Sequence, residues 1–143
     1  MLVMVVLSAQ TTDNIINQIA EKLFEAFPDM HTLSNATPEA LYPYISKVRN
    51  FRNKANWLTK IASSIKDESN IPLKMAELVE LPGLGRKSAN VIKRFAGSPS
   101  KGVVVDLHGV RVASRVGIAT GDDPTKIERQ IMETLPQKEW EVA

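Results

Sequence analysis

The 143-residue chain contains no cysteine. That excludes a disulfide framework, a thiolate nucleophile and any cysteine-ligated metal cluster within these residues. Its two histidines, His31 and His108, are isolated from each other and argue against an all-protein zinc site. No apolar run is long enough to span a bilayer. The candidate, Met1-Leu-Val-Met-Val-Val-Leu7, lacks the basic n-region of a signal peptide and passes at once into a polar amphipathic segment. It is better explained as a buried element cut off at its beginning, which points to an incomplete chain. Excess charge is also scarce, at a formal net +2, so bulk charge alone does not suggest a polyanionic partner.

The distribution of that charge does suggest one. Residues 45–60 hold Lys47, Arg49, Arg52, Lys54 and Lys60 without an acid. Residues 81–115 hold Arg86, Lys87, Lys93, Arg94, Lys101, Arg111 and Arg115 against Asp106 alone, while the rest of the chain is acidic on balance. Basic residues sorted into two segments suit a one-sided polyanion-binding surface; solvated helix faces are the plainer alternative for each lysine alone. The length suits one domain, or one with part of another, and allows a real core. The 43% hydrophobic and 24% charged fractions are those of an ordinary globular protein.

Helical periodicity dominates the rest of the chain. Thr11 or Thr12 is placed to cap a helix over about 13–27, with Ile15, Ile16, Ile19, Leu23 and Phe24 inward and Pro28 as its stop. Thr37-Pro38-Glu39 opens a short helix that Pro43 is expected to interrupt. A helix over about 52–67 carries Ala55, Leu58, Ile61, Ala62 and Ile65 on one face. Residues 74–80 form two turns with Met75, Leu78 and Val79 inward, and 86–96 a helix with Ala89, Val91, Ile92 and Phe95. Gly97 to Gly102 reads as a loop and Val103-Val-Val105 as a buried extended linker, since no second strand is available to pair with it. Asp106 is placed to cap a helix bearing Leu107, Val110, Ala113 and Val116. Asp123-Pro124 opens another, closed by Pro136, and Lys138 to Ala143 begins a further one. The class is all-α with short connections.

One segment breaks a local rule. In Leu81-Pro-Gly-Leu-Gly-Arg-Lys-Ser-Ala-Asn-Val91, a Pro-Gly-x-Gly turn leads into a helix whose first turn carries two cations, Arg86 and Lys87. The N–H groups there already bear partial positive charge. Glycines that admit a ligand to the backbone, amide donors and two cations together suit a phosphate. On its residues alone Lys87 is a phosphate contact or a solvated lysine, and Gly83 and Gly85 are turn glycines. Arg86 and the helix start disfavour the ammonium form, and partial burial is expected to add to this.

Helix, Pro-Gly-x-Gly hairpin, helix, followed by Val105-Asp-Leu-His108, resembles the endonuclease III family of helix-hairpin-helix base-excision DNA glycosylases. Ser8-Ala-Gln-Thr-Thr-Asp13 is similar to that family's Ser-Ala-Gln-x-Thr-Asp landmark, and Arg52-Asn-Lys-Ala55 to its Lys-Ala loop and helix start. The resemblance implies an all-α fold, a central helical barrel (residues 1–102, hairpin at about 74–96) plus part of a second helical domain (103–143). It implies a glycosylase with AP lyase activity, removing oxidised pyrimidines from duplex DNA and nicking 3′ to the abasic site. Lys87 would be the nucleophile of this bifunctional branch and Asp106 its assisting carboxylate, a role that can coexist with helix capping.

By the same resemblance Gly83, Gly85 and Arg86 would hold the DNA backbone. Gln10 would fill the gap left by the extruded nucleotide, and Asn50, Arg52 and Lys54 would belong to a second DNA-contacting loop. Ser8 and Asp13 are candidates for the lesion pocket, with helix capping the plainer role for Asp13; His108 is structural or backbone-contacting. No metal ligand is assigned. Relatives bear a four-cysteine 4Fe-4S cluster in a second domain, for which this chain has no ligands, and hairpin carbonyls in related proteins can hold a monovalent cation. The implied partner is double-stranded DNA with damaged bases or abasic sites, in the nucleoid of the cytoplasm and without a membrane. A monomer is expected of the complete protein and self-association of a fragment. Two alternatives stay open, a catalytically incompetent DNA-binding fragment and the adenine-removing mismatch branch.

Overall fold

A computed structural model describes residues 1–98 and 102–140. Among the described residues every regular element is helical, and Val103–Val105 is extended without a strand partner. The chain forms two compact units, Met1–Gly85 and Arg86 onward. Contacts thus divide it at the end of the hairpin turn, where the sequence suggested a boundary at 102/103.

The first unit contains α1 (Leu2–Ser8), α2 (Asp13–Ala26), α3 (Met30–Ser34), α4 (Pro38–Ile45), α5 (Phe51–Ile65), a 3-10 turn (Glu68–Asn70) and α6 (Met75–Glu80). Its centre is α5, which packs against α1, α3 and α4. The stripe Ala55, Leu58, Ile61, Ala62, Ile65 is buried as its spacing predicts. It meets a core that includes Leu7, Leu23, Leu41 and Ile45. Truncating any of these large side chains to alanine costs about 2–5 kcal/mol.

Local chemistry sets the ends of these helices. Asp29 caps α3 by accepting from the Thr32 N–H at 2.6 Å, and Asp67 caps the 3-10 turn by accepting from Ser69 at 2.8 Å. Glu68 joins the two, its Oε1 accepting from the Met30 N–H. Asp13 does not cap α2: Thr12 holds the cap position, and Asp13 stands in the first turn, favourable to the helix dipole. Pro43 does not interrupt α4, which runs through it to Ile45. Val79 of α6 is exposed, leaving Leu78 as the buried anchor.

The second unit contains α7 (Arg86–Phe95), the extended Val103–Val105, α8 (Leu107–Arg115), α9 (Pro124–Thr134) and a 3-10 turn (Gln137–Glu139). Val103, Val105, Val110, Ala113, Ala119 and Ile127 make its core, with Ile131, Met132 and Trp140 packed against it. Asp106 caps α8 through Gly109 N–H at 2.7 Å, and Asp123 caps α9 through Thr125 N–H at 2.9 Å. Three expected inward residues face outward instead: Phe95 (66% exposed), Leu107 (68%) and Val116 (60%). On α7 the buried positions are Ala89, Asn90, Ile92 and Lys93, a face turned from the one read from apolar spacing. Lys101 and the middle of the expected loop lie outside the described residues, as does the end of the expected last helix.

Candidate active site and nucleic-acid interface

In the second unit the geometry brings Lys87 and Asp106 together. Lys87 stands exposed in the first turn of α7, and Asp106 is half-buried at the cap of α8. The Gly109 N–H is the main cause holding the Asp106 carboxyl below the ordinary aspartate range. The nearby Lys87 ammonium and His108 act in the same direction and together outweigh burial. A carboxylate that stays ionised beside an exposed amine can stabilise positive charge on a group bound between them. The expected partial burial of Lys87 is not met, because α7 begins with a solvent-facing turn.

Arg86 is not a free cation. Its Nε donates to Glu128 Oε2 at 2.7 Å, and the Glu128 side chain is only 8% exposed. The other carboxylate oxygen of Glu128 has no hydrogen-bond partner among the described residues and occupies the space that a Cβ on Gly102 would need. Arg86 is therefore a strut between α7 and α9, with its side chain still 44% exposed. Glu128 had no local signal, since on α9 it reads as one more polar helix residue.

In the first unit the hairpin turn runs from Leu81 to Gly85, closed by Leu84 N–H to Leu81 O at 3.2 Å. Its two glycines differ. Gly83 has φ +77°, and a Cβ there would meet the Trp57 ring at 2.5 Å, so the fold itself demands glycine. Gly85 has no left-handed φ and nothing within 4 Å of where a Cβ would stand. No contact among the described residues requires glycine at 85, as expected where an outside group approaches the backbone. Trp57, the ring under the hairpin, had gone unmarked in the sequence because aromatic residues on a helix usually read as core.

Gln10 follows α1, exposed and with φ 55°. Asn50 precedes α5 with φ 56°, ψ 35°, a left-handed conformation that asparagine tolerates better than most residues. Arg52 lies exposed with its guanidinium 5.7 Å from the Phe51 ring centroid, and Phe51 packs edge-on against Tyr42. Lys54 departs from its expected DNA-facing role. It is 3% exposed, and its ammonium donates to Leu7 O, Ala9 O and Thr11 Oγ1. Burial, with Arg49 adding to it, lowers its pKa. Lys93 is buried too, so both lysines leave the count of surface cations. Ser8 donates to Val5 O within α1 and Asp13 is exposed on α2. No group of three or more His, Cys, Asp or Glu side chains capable of holding a metal ion occurs among the described residues. No helix among them is long and apolar enough to cross a membrane.

Residues 3–137 match the family described as HhH-GPD superfamily base excision DNA repair protein. The chain belongs to that superfamily. Within it, the chain is 37% identical over 143 residues to endonuclease III of Synechocystis sp. (strain PCC 6803), covering 99% of this chain and 65% of the relative. It is 34% identical to endonuclease III of Bacillus subtilis (strain 168), covering 99% and 66%. It thus spans about two thirds of the length of these relatives. A solved structure of a trapped endonuclease III–DNA covalent intermediate, an estranged-adenine complex, superposes with a TM-score of 0.88 at 36% identity. That match covers 99% of this chain and 67% of the other. A non-covalent endonuclease III–DNA complex matches equally well. The all-α HhH-GPD fold expected from the hairpin is the fold of this chain.

Proposed function

We propose that this HhH-GPD chain carries the DNA glycosylase and AP lyase chemistry of base excision repair, acting on oxidised pyrimidines in duplex DNA in the bacterial nucleoid. The observation that carries the reading is the pairing in one unit of an exposed Lys87 amine with the Asp106 carboxylate, two residues after a glycine, Gly85, that no contact among the described residues requires. A damaged base stacked in a duplex hides C1′, so the nucleotide is extruded before reaction. The neutral Lys87 amine attacks C1′ while the bond from C1′ to the base breaks and the base leaves with its electron pair, taking up a proton. The secondary amine then opens the sugar ring to an iminium. Loss of the C2′ proton and departure of the 3′ phosphate complete β-elimination, and water releases Lys87 from the product.

Asp106 stays ionised and stabilises the positive charge that develops on the sugar, while the proton that the attacking Lys87 amine loses passes to the departing base. Lys87 is exposed in the unbound protein. The desolvation that frees the amine therefore comes with the extruded nucleotide covering it. The residues present do not fit an iron–sulfur cluster, since the sequence has no cysteine to bind one, and no step uses it.

Borohydride trapping on a duplex with one abasic site tests the reading. A covalent adduct is expected from the intact chain and from Lys22→Gln, a variant of an exposed lysine on α2, and none from Lys87→Gln. No adduct from the intact chain, with DNA binding retained, would reduce the chain to a binding module.

A further inference from the structure

Residues Ser8 to Thr11 form a β-turn closed by Thr11 N–H to Ser8 O at 3.0 Å. Ala9 has φ −57°, ψ 118° and Gln10 has φ 55°, the pattern of a type II turn, whose third position normally falls to glycine or asparagine. A type I turn differs mainly in the orientation of its middle peptide, here the one between Ala9 and Gln10. The carbonyl of that peptide is Ala9 O, and it accepts from Lys54 Nζ. The same ammonium takes Leu7 O at 2.9 Å and Thr11 Oγ1 at 3.2 Å. Three donors thus meet three acceptors on both sides of Gln10. The Lys54 backbone N–H donates to Asn50 O at 3.0 Å, the carbonyl of the other left-handed residue in this half of the site.

We propose that Lys54 is a positioning residue that locks the Ala9–Gln10 peptide in its type II orientation and couples the Gln10 turn to the Asn50 turn, so that both present to the duplex as one rigid pair. The proposal rests on the reading of these turns as DNA-facing. A glutamine held where glycine is favoured is strained, and such strain persists only where its surroundings enforce it. Lys54 is that enforcement. It lies inside the unit and touches no DNA, so its effect is on where Gln10 points. Turning Lys54 into methionine leaves Leu7 O without this donor and Ala9 O with only the long 3.4 Å hydrogen bond from Thr11 Oγ1, and lets the middle peptide flip.

The test is the ratio of affinities for a duplex bearing a tetrahydrofuran abasic analogue and for the same duplex undamaged, read by fluorescence anisotropy, with helical content followed by circular dichroism. Gln10→Ala and Lys54→Met are each expected to lower the ratio about tenfold, the scale set by one unmade buried hydrogen bond. Their combination is expected to lower it no more than about twofold further, because both remove the same aimed side chain. Thr11→Val, which removes one acceptor of the Lys54 ammonium and the 3.4 Å hydrogen bond from the Thr11 hydroxyl to Ala9 O, is expected to lower the ratio about two- to threefold and decides the matter if Lys54→Met does not fold. Failure of Gln10→Ala to change the ratio overturns the DNA reading of the turn and the inference with it. If Gln10→Ala lowers the ratio but Lys54→Met, or Thr11→Val in its place, leaves it unchanged, the inference alone fails. Additive losses in the double variant overturn it as well.

Discussion

Asp106 does two jobs with one carboxylate, and substitution can separate them. As the cap of α8 it needs only an acceptor for Gly109 N–H; beside Lys87 it needs its charge. Asp106→Asn keeps an acceptor that caps about as well. It is expected to leave the thermal midpoint nearly unchanged at pH 7 while lowering the yield of borohydride adduct by at least tenfold. Asp106→Ala is expected to lose both, the missing cap costing about 1 kcal/mol. Because the folded pKa of Asp106 lies below the ordinary 3.8, its charge stabilises the fold above that value, and the benefit fades as pH falls through the lowered one. The small advantage of the native chain over Asp106→Asn should therefore disappear on acidification; an advantage that grows toward pH 3 contradicts this account. The hairpin glycines separate in the same manner. Gly83→Ala should lower the melting temperature by several degrees, since it meets both a left-handed φ and the Trp57 ring. Gly85→Ala should melt like the native chain yet bind abasic-site DNA about tenfold more weakly, the cost of displacing a close phosphate–amide contact.

At the scale of elements, periodicity was most legible on the long helix α5, whereas on α6 and α8 it marked the buried Leu78, Val110 and Ala113 but also Val79, Leu107 and Val116, which face out. The apolar stripe of α5 and the Asp106 and Asp123 caps stand as the residue spacing predicts. The reading failed where a helix contributes polar residues to the interior. On α7, Asn90 and Lys93 are buried while Phe95 is out, and no count of apolar spacing anticipates that inversion. The short α3 and the turn at Glu68–Asn70 were missed because five and three residues carry too little periodicity to register. The site shows the same divide. Lys87 and Asp106 were visible as motif residues, but the burial of Lys54 and the strut from Arg86 to Glu128 depend on partners more than forty residues away. A cation in sequence looks the same whether it awaits a phosphate or already holds a carbonyl.

For the molecule as a whole, burial redraws the charge map that first suggested a polyanion. Lys54 and Lys93 are interior and Arg86 is paired, which leaves Lys47, Arg49, Arg52, Lys60, Lys87, Arg94, Arg111 and Arg115 exposed among the described residues of the two basic segments. The salt dependence of duplex binding should follow this shorter roster. Arg52→Gln is expected to flatten the slope of log affinity against log salt by about 0.9, one phosphate contact. Lys54→Met should leave that slope unchanged even where it lowers discrimination for the abasic duplex. An equal change of slope in both variants would place Lys54 among the phosphate contacts after all.

The fit of Glu128 against Gly102 gives position 102 a leverage out of proportion to its size. One methyl group there would collide with the Glu128 carboxylate, which is itself the anchor for Arg86. A shift of that carboxylate would weaken its hold on the guanidinium immediately beside Lys87 in the chain and so alter the charge at that position. Gly102 thus acts as a latch, and a single added carbon, remote in sequence from the lysine, is enough to change the electrical company it keeps.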